Sequence, residues 1–241
     1  MESLLLQYEN IAPLTAERGN MRIFAPTAYS AVRQAQMVPI VHVEALALAS
    51  WFPICWLAGA PRPLLVVLRS LHKDGSCQPN GSPFSVPSLP LALRAYPFAV
   101  GVKETNAQSE TLIDEVIADK PADTGAPILT VDGRAGRGTQ MRLRAVSAFN
   151  QALAATESMT DELQRSGLLE PWRWEVSGAA DTLADILIVR PSAFDTPRIF
   201  RFVRKFGAAG ASFLGAHRLS LYRASALLQA ANRAVAPAKE M

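Results

Sequence analysis

One uncharged apolar block constrains the fold of this chain more than any other feature of its sequence. Residues 45–61 read ALALASWFPICWLAGAP, and PLLVVLRSL follows at 63–71. Pro53 divides the block, because proline removes a backbone donor and clashes with the preceding helical turn. We therefore predict a helix over 44–50, followed by two adjacent buried strands within 54–59 and 63–71.

The same block is the one segment that resembles a membrane span. It is shorter than the roughly 20 residues that a spanning helix needs, and prolines interrupt it. We therefore expect no transmembrane segment. The N-terminus has no basic region before its short apolar run at 4–6, so we expect no signal peptide and predict a cytoplasmic protein.

The rest of the chain predicts strands in its first half and mainly helices afterwards. Short strands are expected at 21–26, 98–102 and 185–190, while 111–119 fits either a strand or a short helix. Helical spacing predicts helices over 139–167, with Gly167 as the C-terminal cap, over 194–207 and over 217–235.

These elements predict an α+β fold. A central mixed sheet is built mainly from residues 21–132 plus a strand near 185–190, and it is packed by helices from the C-terminal half. At 241 residues, the chain is predicted to form a single domain over 1–241, helix-rich after about residue 139.

Positive charge is concentrated near the C-terminus, although the net charge of the chain is only +3. The sequence RIFRFVRKF at 198–206 predicts an amphipathic helix with its cations along one side and an apolar side formed by Ile199, Phe200, Val203 and Phe206. Such a helix is either a solvated surface or a docking site for an acidic peptide or a membrane surface. We predict Arg198 and Arg201 as binding residues and expect no nucleic-acid partner.

The segment LRAYPF contributes two further candidate binding residues, Arg94 and Tyr96. They share a face if the segment is extended, and Pro97 fixes the exit of the chain. The planar guanidinium of Arg94 is expected to hold a carboxylate, with Glu44 and Asp114 as candidates, or backbone carbonyls. That pair would be a structural salt bridge; the functional alternative is a clamp for a peptide carboxylate.

Two tryptophans in EPWRWEV complete the candidate binding set. Trp172 and Trp174 lie two residues apart, so alternation places both rings on one face of an extended segment. Such a face either closes a core or lines a peptide groove.

Catalytic motifs are weak in this sequence. No serine elbow and no cysteine motif is found, so we predict no catalytic residues and no cofactor. The rival hypothesis is a metal site. His42 and Glu44 in HVE, together with His217, match the two-histidine, one-carboxylate ligand set of non-haem iron oxygenases. The alternative is that His42 packs at a helix start while Glu44 is solvated.

Several segments together resemble the bacterial SapC family, over about residues 8–230. The resemblance is carried by MVPIVHVEALALASWFPICW at 37–56, RPLLVVLRSL at 62–71, VPSLPLALRAYPFAVG at 86–101, LIDEVIAD at 112–119, GAPILTVDG at 125–133 and SGLLEPWRWEV at 166–176. The LRAYPF part is the most specific. The chain departs from the family pattern in the loop after residue 71, which lacks the usual tryptophan, and at His42, where the family is usually apolar.

The residues and the resemblance together leave three functional hypotheses open. The first is a non-catalytic protein- or peptide-binding adaptor that partners a peptide- or tryptophan-modifying enzyme, such as a halogenase or a dioxygenase-type modifier, because SapC genes neighbour such enzymes. The second is the metal-dependent oxygenase. The third is a structural component of the surface layer, from which the family takes its name. The resemblance carries no catalytic residues to this chain.

Overall fold

The computed structural model describes residues 8–15, 17–71, 89–101, 111–172 and 185–235. The chain divides into two compact units. The first unit comprises Met1–Gln34 and Pro90–Leu153, and the second comprises Ala35–Leu89 and Ala154–Met241. The two units are defined by the contacts inside each one. That the chain forms a single domain over 1–241 stays a prediction.

The described elements alternate short strands with short helices before residue 137 and are mainly helical after it. The strands are β1 (Ile11–Pro13), β2 (Arg22–Ile23), β3 (Met37–Pro39), β4 (Ile54–Leu57), β5 (Leu64–Leu68), β6 (Leu112–Asp114), β7 (Ala126–Pro127), β8 (Leu169–Pro171) and β9 (Ile186–Val189). The α-helices are α1 (Ser30–Gln34), α2 (Ala45–Leu48), α3 (Leu91–Ala95), α4 (Arg137–Arg165), α5 (Pro197–Ser220) and α6 (Ala224–Val235). Short 3₁₀ helices occupy Glu17–Asn20, Pro26–Ala28, His42–Glu44, Pro191–Asp195 and Leu221–Arg223.

The first unit holds two small antiparallel sheets. Strand β1 pairs with β6, and β2 pairs with β7. Its apolar cluster contains Ile23, Phe98, Ile113 and Ile128, and side chains from the start of α4 pack against that cluster. Over the described residues each of these sheets has two strands, and a two-stranded sheet is marginally stable by itself, so side-chain packing must contribute to the stability of this unit.

The second unit is built on a five-stranded antiparallel sheet in the order β3-β5-β4-β9-β8. The central strand β4 is buried on both faces. Trp56 packs against Phe213 of α5, with ring centroids 5.9 Å apart, while Cys55 lies in a cluster with Leu227 of α6. Burial on both faces explains why this stretch of sequence is continuously apolar and does not alternate.

Two glycines shape the long helices. Gly167, at a φ of 61°, ends α4: its N–H donates to the Gln164 carbonyl, and the Leu168 N–H donates to the Leu163 carbonyl. These two bonds form a Schellman motif, and Gly167 is the C-terminal cap that the sequence predicted. In α5, Gly207 leaves helical geometry at φ 61° and ψ −146°, after which the helix continues to Ser220.

The predicted α+β class is confirmed, together with the strand near 185–190 and the helices of the C-terminal half. The sheet differs in two respects from the prediction. It is antiparallel and not mixed, and β1, β2, β6 and β7 pair outside it. The strand expected at 98–102 is also wrong in the described part, where Phe98 forms only an isolated bridge to Ile113.

The uncharged block folds as the sequence predicted, into α2 followed by β4. Among the helices of the described residues, none combines the length and the apolar character that crossing a bilayer requires.

Candidate functional site

An open cavity of about 380 Å³ lies at the N-terminal end of α5, within the second unit. We call it the arginine cavity, because three of its lining residues are arginines. The lining residues are Gly167, Leu168, Arg190, Ala193, Thr196, Pro197, Arg198 and Arg201. The two binding residues predicted from the basic stretch therefore face the same cavity.

Local sequence explains how the arginines converge. Strand β9 ends at Val189, so Arg190 is the first residue to leave the sheet. Pro191 and Pro197 then begin two successive helices, because the fixed φ of proline suits the first helical turn. Arg198 and Arg201 lie three residues apart on α5, which places them on one side of the helix.

The hydrogen bonds of these arginines are few. Arg190 Nη1 lies 3.4 Å from Glu170 Oε2, and Arg198 Nη1 donates to the Ser166 carbonyl over 3.2 Å. In the described part of the chain, no ion pair or hydrogen bond is formed by the Arg201 side chain. Arg190, Arg198 and Arg201 are exposed, so their remaining N–H groups are available to a ligand.

Apart from the residues of the cavity, the exposed residues of α5 include two more cations, Arg204 and Lys205, and one aromatic residue, Phe200. Lys205 donates to Glu162, and this hydrogen bond lowers the pKa of the Glu162 carboxyl group. Phe200 is 66% exposed, whereas Phe202 is only 1% exposed. The predicted amphipathic helix is therefore present, but the placement of Phe200 on its apolar side was wrong. Phe202 packs inward with Ile199 instead.

A second cavity, of about 310 Å³, lies in the same unit and is lined by Ala49, Ser50, Leu219, Tyr222 and Arg223. It is mainly apolar, and Leu219 and Tyr222 are both exposed. Its described lining residues include one cation, Arg223, whereas those of the arginine cavity include three.

His217, from the predicted metal set, is fully buried. Its Nδ1 lies 2.9 Å from the Ile54 carbonyl, and its Nε2 lies 3.2 Å from the Val189 N–H. The carbonyl can only accept and the N–H can only donate, so the ring is the Nδ1–H tautomer with both nitrogens engaged. Burial lowers the pKa of His217 to about 4, which keeps the imidazole neutral.

The other two residues of the metal set lie at a helix start. His42 Nδ1 is 2.9 Å from Thr156 Oγ1, and Glu44 Oε2 accepts a hydrogen bond from the Val41 N–H. Within the described ranges, no group of three or more His, Cys, Asp or Glu side chains is placed to hold a metal ion. The predicted ligand set of His42, Glu44 and His217 is therefore wrong, since His217 has no lone pair left to offer.

Arg94 and Tyr96 lie in the first unit and have opposite environments. Arg94 is exposed at the end of α3, whereas Tyr96 is buried. The Tyr96 hydroxyl donates to Asp114 Oδ2 over 2.8 Å, and the N–H groups of Glu9 and Asn10 also donate to this carboxylate. Asp114 is one of the two carboxylates predicted as partners of Arg94, but the side chain that donates to it is Tyr96, so the predicted pair was wrong. The segment is helical up to Ala95 and not extended, and Arg94 on this helix is exposed.

Buried aromatic rings surround that carboxylate. Tyr8 stacks on Tyr96 at 5.8 Å between centroids, and Tyr29 meets Tyr96 edge to face at 5.0 Å. Burial raises the pKa of Tyr96, and the hydrogen bond to Asp114 adds to this effect. All three hydroxyl groups have hydrogen-bond partners within the unit, so the cluster is a satisfied polar core and not an open site.

Sequence reasoning missed two arginines of the interior, one half-buried and one fully buried. Arg142 of α4 donates to the backbone carbonyls of Tyr96, Gly138 and Phe24, and burial lowers its pKa. Arg69 follows β5 and is 1% exposed, and burial lowers its pKa to about 10. Neither arginine stands out in the sequence, because backbone carbonyls leave no residue-type signature.

Trp172 follows β8, and its backbone N–H donates to the Ile186 carbonyl over 2.7 Å. Its partly buried side chain packs against the cluster that contains Cys55 and Leu227, as expected of a residue that closes a core. Trp174 lies outside the described residues.

Comparisons with known proteins supply the family. A search of curated proteins and of solved structures found no match. The SapC family model matches residues 16–196, about three quarters of the chain, and this range includes all six segments on which the resemblance was based. The chain therefore belongs to the SapC family.

Proposed function

We propose that this SapC-family protein is a non-catalytic adaptor that binds a protein or peptide through the arginine cavity and the neighbouring exposed Phe200. The observation that carries this proposal is the convergence of Arg190, Arg198 and Arg201 around one open cavity. Arginine and aromatic side chains are enriched among the residues that dominate binding energy at protein interfaces.

The candidate metal-binding groups are engaged in structural hydrogen bonds, which supports the non-catalytic part of the proposal. The ring nitrogens of His217 are bonded to backbone, and Glu44 accepts from the Val41 N–H at a helix start. A general base must reach a substrate proton within hydrogen-bond distance, and a fully buried histidine does not.

The family resemblance supports the choice of partner. We propose that the protein presents a substrate to a peptide- or tryptophan-modifying enzyme, of the halogenase or dioxygenase type. We also propose a cytoplasmic location. Cys55 is a free, buried thiol, the form expected in a reducing compartment.

Site-specific photo-crosslinking tests this function. A photo-reactive phenylalanine analogue replaces Phe200 in the full-length protein, expressed in its native cells. We expect one discrete cross-linked partner, identified by mass spectrometry as a modifying enzyme or its substrate, because the exposed ring is on the same helix as two arginines of the cavity.

The matched control places the same analogue at Ile117, an exposed apolar residue of the first unit. It should give no adduct of the same mass. An adduct common to both positions, or no adduct at position 200, would show that this face of α5 does not contact a partner.

A further inference from the structure

We infer that the arginine cavity binds carboxylate groups, and that its ligand is an acidic segment of a peptide or protein. This inference rests on the proposed binding function and names the chemistry of the ligand. Four features of the cavity support it: its charge, its free donors, its position on α5 and its shape.

The charged groups that line the cavity are all positive among the residues that the structure describes. Three guanidinium groups belong to this lining, and none of its described members is acidic. Glu170 lies beside Arg190, at 3.4 Å, and both side chains are partly exposed. Since exposed ion pairs of this kind are weak, an incoming carboxylate can replace this contact at little cost.

The donors are suited to carboxylates. An arginine side chain carries five N–H donors in a planar fork that matches the two oxygens of a carboxylate. Arg198 Nη1 donates to the Ser166 carbonyl. The neighbouring Gly167 has no side chain in the cavity, whereas a Cβ added there would lie 3.6 Å from Arg198 Nη1. The other donors of Arg198 and those of Arg201 remain for a ligand.

The cavity also lies at the positive end of α5, at the start of its first helical segment, which runs from Pro197 to the break at Gly207. Thr196, at the N-cap of α5, makes no side-chain cap. Its hydroxyl donates to the Ala193 carbonyl instead. The partial positive charge of the helix end therefore adds to the charge of the arginines, and a negative ligand group would be favoured there.

The shape of the site favours a peptide over a membrane or a nucleic acid. A concave site of about 380 Å³ accommodates one or two acidic side chains, whereas a bilayer surface is broad and cannot enter it. Nucleic-acid surfaces commonly combine a basic groove with stacking aromatic rings. Phe200 is exposed on α5 but does not line the cavity.

Fluorescence anisotropy with the purified full chain tests the inference. The probe is a fluorescein-labelled peptide of alternating glycine and glutamate, and the neutral comparison peptide has glutamine at each glutamate. We expect the acidic peptide to bind at least about ten-fold more tightly, and its affinity to fall as salt is raised, because charge-assisted hydrogen bonds dominate.

Arginine variants locate the binding. Arg198→Gln and Arg201→Gln should each weaken the acidic peptide about ten-fold. The matched control is Arg204→Gln, an exposed arginine on the same helix that does not line the cavity, which should change affinity by less than about two-fold. Thermal unfolding checks that each variant is folded.

Three results would overturn the inference: equal binding of the two peptides, equal losses in Arg201→Gln and Arg204→Gln, or no binding of the acidic peptide by a protein that binds phosphatidylglycerol vesicles through the same arginines. The last result would assign the cavity to a lipid surface. The inference and the proposed function also fail separately. If the cross-link at position 200 still forms but the protein binds the acidic and the neutral peptide equally, the adaptor function stands and only the carboxylate ligand is wrong.

Discussion

The buried polar groups and the arginine cavity use their hydrogen-bonding atoms in opposite ways. Inside the second unit, both nitrogens of His217 are bonded to backbone groups. Inside the first unit, the Asp114 carboxylate accepts from Tyr96 and from two backbone N–H groups. At the cavity, Arg198 and Arg201 are exposed and keep donors for a ligand.

This difference indicates where function is to be sought in the described part of the chain. A buried polar group costs free energy unless it is hydrogen-bonded, so the interior histidine and tyrosines are constrained to structural partners. The exposed arginines are under no such constraint. Substitutions inside should therefore change stability, while substitutions at the cavity should change binding only.

The largest effect is expected in the dependence of stability on pH. The pKa of His217 is about 4 when folded and near 6.5 when unfolded. Between these values the unfolded chain binds a proton that the folded chain does not. The free energy of unfolding should therefore fall by up to about 3 kcal/mol as the pH drops from 6.5 to 4, measured by urea denaturation.

Proton NMR on the unmodified protein checks that the lowered pKa belongs to His217. The His217 signal should stay that of a neutral ring down to about pH 5. His42 provides an internal comparison, because partial burial lowers its pKa while it remains accessible. Titration of His217 near pH 6.5 would mean that its ring is not held as the structure shows.

A smaller effect is expected at the buried carboxylate of the first unit. Tyr96→Phe removes one of the three hydrogen bonds to Asp114 and should lower the free energy of unfolding by about 1–2 kcal/mol. Tyr222→Phe, at an exposed tyrosine, should change it by less than about 0.5 kcal/mol. Equal values from chemical denaturation of the two variants would contradict a structural role for the Tyr96 hydroxyl.

Much of the fold could be predicted because the sheet is buried on both faces. The runs ICWL and LLVVL are continuously apolar for that reason, and they form the adjacent strands β4 and β5. Gly167 likewise ends α4 through a local motif. The three-residue strands β1 and β6 are too short to show a period, so their pairing outside the main sheet was not predicted.

The site was predicted only in part, for a related reason. The spacing of Arg198 and Arg201 is local to one helix, so their common face could be read from the sequence. Arg190 precedes the short 3₁₀ helix Pro191–Asp195 that connects β9 to α5, so its position beside the other two arginines depends on tertiary structure. Arg94 and Tyr96 were assigned to one face because the segment was taken as extended, but a short helix precedes Tyr96.

The smallest change in stability should accompany the largest loss of binding, in the Arg201→Gln variant. One sample would supply both the free energy of unfolding, from urea denaturation, and the affinity for the glycine–glutamate peptide. We predict a stability change below about 0.5 kcal/mol, as expected for an exposed side chain, with about ten-fold weaker binding. Unchanged peptide affinity, or a loss of affinity matched by a loss of stability, would contradict the separation between a structural interior and a binding surface.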